Sequence, residues 1–224
     1  MSKVLILVEG QTEQGFIDNV LSVHLASFGV FPIPIVIPTK APRGSSPSIK
    51  GGSVSWRKIK KTLLDLLGDS SATLVTTMFD FYARPEDWPG NDSLLTNSYQ
   101  QQVKHLEEAC NQEIAHQRFT AYLSLHEFEA LLFAAPETLA ASYPEIDMRD
   151  ALVAIRTQFQ TPEEINDDPA TAPSKRIKEL CPMFRKRSDG PIIALEIGLA
   201  QIRAECPHFN EWLTKLEAVG QAPT

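Results

Sequence analysis

The sequence predicts an α/β fold: a mostly parallel sheet of about four strands, with flanking helices and a helical C-terminal extension. Two apolar runs without polar alternation, VLILV at residues 4–8 and ATLVTTMF at residues 72–79, are typical of strands covered on both faces. Segments with helical periodicity follow both runs, which is the order of β-α units. From residue 136 the pattern is wholly helical. We therefore expect a core over residues 1–135 and an extension over residues 136–224, packed on the core.

The first half of the predicted core contains two strands and one helix. The helix after the first strand opens at Thr12, a residue suited to capping, and ends near Gly29. Residues 31–37 are apolar and β-branched, which predicts a second strand. Because Pro32 and Pro34 cannot donate to a β-ladder, this strand belongs at an edge of the sheet.

The remaining elements follow from apolar spacing, turn residues and helix caps. In the core they are a helix spanning Trp56 to Leu67, the strand 72–79, a helix over 93–117 and a strand over 118–125. In the extension, Thr161 and Glu164 form a capping box, and Pro173 opens a further helix. Two more helices are predicted over 191–205 and 210–219.

Composition narrows the class of protein. With 224 residues, 43% of them hydrophobic, the chain can bury a full core without a disulfide or structural metal. The three cysteines lack C-x-x-C spacing, and no apolar stretch approaches membrane-spanning length, so we expect a cytoplasmic protein with reduced thiols. The net charge of −7 excludes a general polyanion binder. Any contact with nucleic acid must come from local basic patches.

Acidic residues end three of the predicted strands: Glu9, Asp80, and either Glu127 or Glu129. The carboxyl ends of parallel strands meet at one edge of a sheet, where α/β proteins place their ligands. Carboxylate oxygens there suit Mg²⁺ or Mn²⁺. For Glu9 alone, a solvated carboxylate that merely ends a strand is an equally good interpretation.

The segment His126-Glu127-Phe128-Glu129 leaves alternatives open. In an extended chain both carboxylates point to the same side, whereas in a helix they are about 200° apart and only one faces the site. We favour Glu127 because it is nearer the strand end. For His126, a structural or capping role is favoured over that of a catalytic base, although its neighbouring acids keep the catalytic role open.

A basic span contrasts with the acidic whole. Residues 19–64 contain no Asp or Glu but carry seven cations: Lys40, Arg43, Lys50, Arg57, Lys58, Lys60 and Lys61. This asymmetry favours a surface that faces phosphates, and a solvated loop followed by a basic helix face is the alternative. Lys175 and Arg176, near a predicted helix start, are further candidates for phosphate contact. The cluster at residues 185–187 is another.

Several motifs together resemble one family. They are V-E-G-x-T-E at the first strand, an Asp after the third strand, L-H-E-F-E-A-L-L-F, P-S-K-R-I and C-P-H-F-x-x-W-L-x-x-L-E. The chain resembles, over nearly its whole length, the bacterial family named for domain of unknown function 4276. That resemblance implies a TOPRIM-like fold, similar to the Rossmann-like catalytic fold of topoisomerases, primases and overcoming-lysogenisation-defect nucleases. It also implies a partner AAA or ABC-type ATPase encoded alongside, within an anti-phage defence system.

The resemblance assigns roles to two residues, and at one position the chain departs from the TOPRIM pattern. In TOPRIM proteins the glutamate after the first strand is an acid or base and a metal ligand, and Asp-x-Asp after the third strand holds Mg²⁺. Glu9 and Asp80 match these positions, but Tyr82 stands where the second aspartate belongs. A phenol is a poor Mg²⁺ ligand near neutral pH. Either Glu127 or Glu129 completes the site, or the chain has lost the reaction.

The sequence therefore predicts a Mg²⁺- or Mn²⁺-dependent nuclease that acts on DNA or RNA as the effector of an ATPase-linked defence system. Glu9, Asp80 and Glu127 hold the metal in this hypothesis, and Glu9 also handles the proton. The main alternative is a non-catalytic adaptor that keeps the fold and binds the ATPase. A small-molecule phosphohydrolase is weaker because the basic span is broad. Association into a homo-oligomer is left open by the sequence.

Overall fold

The computed structural model describes residues 1–37, 54–94, 98–166 and 171–221. It confirms the α/β class, a parallel sheet of the expected size and the helical C-terminal extension. The strands are ordered β2-β1-β3-β4, β5 also pairs with β3, and every strand pair is parallel. Their bounds are β1 Ser2–Val8, β2 Val30–Val36, β3 Ala72–Asp80, β4 Phe119–Thr120 and β5 Leu123–Ser124.

Helices pack on both faces of the sheet. The α-helices are α1 Gln11–Phe16, α2 Ser22–Ala26, α3 Trp56–Leu67, α4 Tyr99–Ile114, α5 Pro136–Ala141, α6 Arg149–Arg156, α7 Pro173–Leu180, α8 Lys186–Ile197, α9 Leu199–Glu205 and α10 Pro207–Gln221. A π-helical turn, Ile17–Leu21, joins α1 to α2. Within the described ranges, no helix combines the length and apolar composition needed to cross a bilayer.

The central strand β1 faces two separate apolar cores. Val4, Ile6 and Val8 belong to the cluster that contains α1 and the C-terminal helices. Leu5 and Leu7 belong to the cluster formed with α3 and α4. Alternate residues of a strand point to opposite faces, so an uninterrupted apolar run is what a strand buried on both sides requires.

Strand β2 lies at the edge of the sheet, as its two prolines predict. Its neighbour is β1, and the Ile37 N–H donates to the Val8 carbonyl at 2.9 Å. By the alternation of a strand, the amides of residues 33 and 35 also point to β1, and Pro32 and Pro34 fall on the outer side. The free edge therefore lacks two of the donors that another strand would need.

Two helical segments depart from a single regular α-helix. The segment after Glu127 is a 3₁₀-helix, Phe128–Ala134, rather than an α-helix. The helix predicted over residues 191–205 is divided at Gly198, whose φ of 84° is in the left-handed region that favours glycine. Its first part, α8, begins at Lys186, five residues before Pro191. The predicted Thr161 capping box is confirmed, but it opens only the short 3₁₀-helix Pro162–Glu164.

The C-terminal helices share the core beneath the sheet. Phe209 of α10 lies 5.8 Å, centroid to centroid, from Phe16, and Phe16 lies 5.1 Å from Phe128. These rings belong to one buried cluster that also includes strand β1. The division of the chain at residue 135 into a core and an extension stays a prediction.

We expect Gly15→Ala to reduce the free energy of unfolding by about 1–3 kcal/mol, because a methyl group would overpack the contact between α1 and α8. A Cβ at Gly15 would lie 3.0 Å from Cγ of Pro191. Urea unfolding would measure the change. Asp18→Ala, at an exposed position in the same helical segment, is the control and should change stability by less than about 0.5 kcal/mol. Equal stability of the two variants would contradict the close approach.

Candidate carboxylate centre

The candidate site lies where the chain leaves β1 and β3. β1 lies between β2 and β3 in the sheet. The chain runs from β1 to its neighbour on one side, β2, and then returns to form its neighbour on the other side, β3. A crevice forms outside the carboxyl ends of strands at such a reversal, and ligands of open α/β sheets bind there. Glu9 follows β1 directly and Asp80 ends β3, so both acids flank this crevice.

Backbone amides fix Asp80 and Glu9. The Phe128 N–H donates to Asp80 Oδ1 at 3.1 Å, which attaches the start of the 3₁₀-helix to the end of β3. The Asp80 N–H in turn donates to the Glu9 carboxylate. Glu9 Oε2 is buried and has no hydrogen-bond partner among the described residues. The edge thus holds a carboxylate oxygen that is shielded from water and unpaired within that part of the chain.

Glu13 is a third acid at this edge. It occupies the third position of α1, and its Oε2 accepts a hydrogen bond from the Gly10 N–H at 2.9 Å. It is buried, with 6% of its surface exposed, and its charge acts on both Glu9 and Asp80. Capping α1 explains its place in the sequence, but not its burial beside two other carboxylates.

Glu127 and Glu129 join the cluster from the other side through Lys186. Nζ of Lys186, the first residue of α8, lies 3.0 Å from Oε2 of Glu129 and 3.5 Å from Oε1 of Glu127. Glu127 Oε2 also accepts a hydrogen bond from the Ser174 N–H at 3.1 Å. Glu127 has extended backbone and Phe128 begins the 3₁₀-helix, so the chain bends there and both carboxylates reach the same ammonium group.

Burial and mutual repulsion raise the pKa values of four of these acids. Burial first, and then the charge of Glu13, raises the pKa of Glu9 from 4.5 to about 7. Burial raises the pKa of Glu129 to about 7 although Lys186 opposes the shift. The pKa values of Glu13 and Asp80 are also raised, chiefly by burial. Glu9, Glu13, Asp80 and Glu129 therefore share a buried space with too little positive charge to favour the ionised form of all four.

Lys186 stays charged in this environment. Burial opposes the ammonium form, but Glu129, Glu127 and Asp80 outweigh it and raise the pKa of Lys186. Arg185 and Arg187, on either side of it in the chain, are exposed. Lys186 is thus the inward-facing member of the basic cluster at residues 185–187, and its ion pairs are with protein carboxylates.

His126 faces aromatic rings. Its imidazole stacks on Tyr82 at 5.1 Å with an interplanar angle of 19°, and Tyr99 meets it edge-on at 4.9 Å. The ring is fully buried, and burial lowers its pKa to about 4, so it is neutral near pH 7. Neither ring nitrogen has a hydrogen-bond partner among the described residues. A catalytic role for His126 stays a prediction, while Tyr82 is engaged by this stack.

The predicted basic residues fall into three groups. Lys40, Arg43 and Lys50 lie outside the described residues. Arg57 and Lys58 begin α3, where Arg57 is exposed, and farther along that helix Lys60 pairs with Glu113 and Lys61 with Asp65. Lys175 is exposed on the first turn of α7, next to the Ser174 amide that holds Glu127, and Arg176 donates from Nε to the Thr171 carbonyl at 2.7 Å.

The chemistry of the carboxylates fits a hard divalent cation, and Oε2 of Glu9 and Oε1 of Glu129, both buried and without a hydrogen-bond partner among the described residues, are suitable donors. The positions of these side chains in the described residues, however, do not match those of a metal site. In the described ranges, no three His, Cys, Asp or Glu side chains are placed to hold one metal ion. Two of the five acids are drawn to Lys186 instead, so binding a cation requires side chains of the cluster to turn.

Sequence reasoning missed two members of the cluster. Glu13 lies four residues after Glu9 in V-E-G-x-T-E, a spacing that brings both side chains to one end of a short helix. Lys186 was grouped with residues that contact phosphate, and nothing in the local sequence shows that it turns inward. The packing of α8 against α1 decides its direction.

Comparison with known proteins gives three solved structures of one protein, the C-terminal region of the Xanthomonas campestris pv. campestris OLD protein. The platinum-phased structure is 17% identical, with a TM-score of 0.36 over 96% of this chain and 95% of that chain. The mercury-phased structure is 17% identical, with a TM-score of 0.35 over 96% and 98%. No curated protein matches. The model of the family described as Domain of unknown function (DUF4276) matches residues 8–217, and the chain belongs to that family.

Proposed function

We propose that this protein is a Mg²⁺- or Mn²⁺-dependent nuclease that hydrolyses phosphodiester bonds of DNA or RNA. One observation carries the proposal: five carboxylates lie together at the topological reversal of a parallel sheet, and burial raises the pKa values of four of them. An arrangement so unfavourable to the isolated protein is typical of a site that acts on a charged ligand. The five residues are Glu9, Glu13, Asp80, Glu127 and Glu129.

A divalent cation bound here would neutralise charge on a phosphate and lower the pKa of the attacking water. Glu9 and Asp80 would hold it, as the resemblance to TOPRIM proteins implies, and Glu13, Glu127 and Glu129 are the candidates for further ligands. Tyr82 is not needed as a ligand because Glu13 supplies a carboxylate at the same edge. Glu9 would also take up the proton, since its unpaired oxygen lies in the cluster.

Cations beside the cluster support a polyanionic substrate. Lys175 is exposed on the turn of α7 whose amide holds Glu127, and Arg185 and Arg187 are exposed beside Lys186. These residues could neutralise phosphates on either side of the scissile bond. Trp56, the first residue of α3, packs 5.0 Å from Trp88 in the segment after β3. Arg57 and Lys58 are therefore anchored near the same edge of the sheet.

We expect the purified protein to cleave plasmid DNA or tRNA with Mn²⁺ or Mg²⁺, and Glu9→Gln to lower the rate by at least about 100-fold, because it removes a ligand and a proton acceptor together. Glu145→Gln, at an exposed carboxylate outside the cluster, is the matched control and should keep the full rate. Cleavage by Glu9→Gln at the wild-type rate would refute the proposal. The proposal would also be refuted if neither wild type nor either variant cleaved plasmid DNA or tRNA, with or without a partner ATPase.

We also propose that this activity belongs to a defence system, with an ATPase of the AAA or ABC type as partner, which the family resemblance implies. In that arrangement the nuclease would be the effector and the ATPase would control it. Co-expression of the two proteins followed by affinity purification tests the association. Recovery of the nuclease without the ATPase at physiological ionic strength would argue against a stable complex.

A non-catalytic adaptor is the second candidate, and the lack of a ready three-ligand metal group in the described ranges favours it. Divalent ions separate the two functions. A nuclease that binds an ion at 100 times its dissociation constant gains about 2.7 kcal/mol of stability, whereas an adaptor without a metal site gains none. Thermal unfolding with EDTA and with Mn²⁺ measures this difference.

A further inference from the structure

Two contacts join the chain segments that leave β3 and β5. In the first, the Phe128 N–H donates to Asp80 Oδ1 at 3.1 Å. In the second, the ring of Tyr82 stacks on the imidazole of His126, with centroids 5.1 Å apart and an interplanar angle of 19°. Because β5 pairs with β3 in parallel, both contacts lie at the same end of neighbouring strands. The two segments are therefore tied at two points, one polar and one aromatic.

Within the described residues, ring packing orients His126. Its side chain is fully buried, and neither ring nitrogen has a hydrogen-bond partner in this part of the chain. Tyr99 meets the imidazole edge-on at 4.9 Å, and Phe81 meets it edge-on at 6.3 Å. Since aromatic pairs have preferred geometries, the flat stack on Tyr82 decides how the ring lies.

The stacked pair is covalently close to both halves of the carboxylate cluster. Tyr82 follows Asp80 by two residues, and His126 directly precedes Glu127. Glu129 lies two residues farther along, within the 3₁₀-helix that begins after Glu127. A movement of this segment relative to β3 would therefore move Glu127 and Glu129 relative to Asp80.

We propose that Tyr82 is a positioning residue, whose stack on His126 fixes Glu127 and Glu129 relative to Asp80. This inference rests on the proposed nuclease function and gives a role to the tyrosine that stands where TOPRIM proteins have their second aspartate. Tyr82 acts through its ring, so an aspartate at this position breaks the stack instead of completing the site. It also adds a charge beside carboxylates that already repel one another.

Hydrogen exchange tests the positioning without an activity assay. Exchange of the Phe128 amide is followed by NMR in EDTA for the full-length protein. Tyr82→Leu should speed this exchange roughly 3- to 10-fold, the factor that corresponds to one aromatic pair, because the bond to Asp80 opens more often. Tyr82→Phe keeps the stacked ring and should match wild type. Phe28→Leu is the matched control, since Phe28 packs 5.2 Å from His24 just before β2, at the amino ends of the strands.

Cleavage kinetics test whether the positioning serves the reaction. Tyr82→Leu and Tyr82→Asp should lower kcat at least about 10-fold and change KM by no more than about twofold, because misplaced groups slow the chemical step more than binding. Tyr82→Phe should restore most of the wild-type kcat, and Phe28→Leu should keep all of it. Urea unfolding sets a temperature at which each variant is fully folded, so a smaller folded fraction does not lower the rate.

Each outcome decides a separate point. Unchanged exchange of the Phe128 amide in a folded Tyr82→Leu protein would overturn the positioning role, whatever the activity. An unchanged kcat in that variant, or a higher kcat in Tyr82→Asp, would overturn its link to the reaction. If wild type does not cleave, the nuclease proposal fails, and hydrogen exchange still decides the role of Tyr82. If Tyr82→Leu does not fold, faster exchange in Tyr82→Phe would contradict a role carried by the ring.

Discussion

We expect the metal-free protein to lose stability as the pH rises from about 5 to about 8, mainly through Glu9 and Glu129. Their folded pKa values, raised from 4.5 to about 7, mean that the folded state binds more protons than the unfolded state between these two values. The stabilising contribution of each protonated carboxyl is therefore complete below pH 4.5 and is lost as the pH rises through 7. One pKa unit corresponds to about 1.4 kcal/mol, so each carboxylate accounts for roughly 3 kcal/mol.

His126 acts in the opposite direction. Its pKa is lowered from 6.5 to about 4, so its contribution to stability is present above pH 6.5 and is lost as the pH falls through 4. Wild-type stability alone therefore mixes two opposing trends below pH 6.5. Most of the carboxylate decline lies between pH 4.5 and pH 7, and His208, whose pKa is also raised, adds to the decline above pH 6.5. The variants are therefore compared over the whole range from about pH 5 to pH 8, in which both histidines are present in every protein.

The measurement is urea unfolding in EDTA at several pH values, for wild type, Glu129→Gln and the exposed control Glu145→Gln. Glu129→Gln should reduce the total loss of unfolding free energy between about pH 5 and pH 8 by roughly 2–3 kcal/mol, since the amide cannot ionise. The control should follow the wild-type curve. Parallel curves for wild type and Glu129→Gln would show that the buried carboxylate does not carry an elevated pKa.

We expect Trp212→Ala to reduce the free energy of unfolding by about 3–5 kcal/mol, the range for truncating a large buried aromatic side chain. The indole of Trp212 is 2% exposed and stacks on Tyr122 at 4.5 Å with an interplanar angle of 15°. Its Nε1–H donates to the Thr76 hydroxyl of β3 at 3.1 Å. The substitution removes this stack and leaves a cavity between α10 and the sheet.

Two further variants separate the contributions of Trp212. Trp212→Phe keeps an aromatic ring but not the donor, so a smaller loss of about 1–2 kcal/mol is expected. Val23→Ala, at a position that is 74% exposed, should change stability by less than about 0.5 kcal/mol. Urea unfolding of all three would show whether α10 is part of the folding unit of the sheet. If Trp212→Ala lowered the free energy of unfolding by less than about 1 kcal/mol, α10 would not be part of that folding unit.

Most of the fold could be predicted because its signals are local. The run at residues 4–8 has the pattern of a strand buried on both faces, and the structure places it at the centre of the sheet with a core on each side. Pro32 and Pro34 predicted an edge strand from their missing donors, and β2 is at the edge. The boundaries of the elements were predicted less accurately. The division of a helix at Gly198 and the 3₁₀-helix after Glu127 depend on packing that the local sequence does not record.

The sequence by itself determined the class of the fold and the presence of acids at the ends of its central strands, because strand burial and turn position follow from residue pattern. Only the tertiary structure decided which charged side chains lie beside those acids. Glu13 looks like a helix cap and Lys186 like one of three surface cations until α8 packs against α1 and brings the ammonium group to Glu127 and Glu129. Charge compensation depends on distance in space, and residues 129 and 186 become neighbours only after the chain has folded.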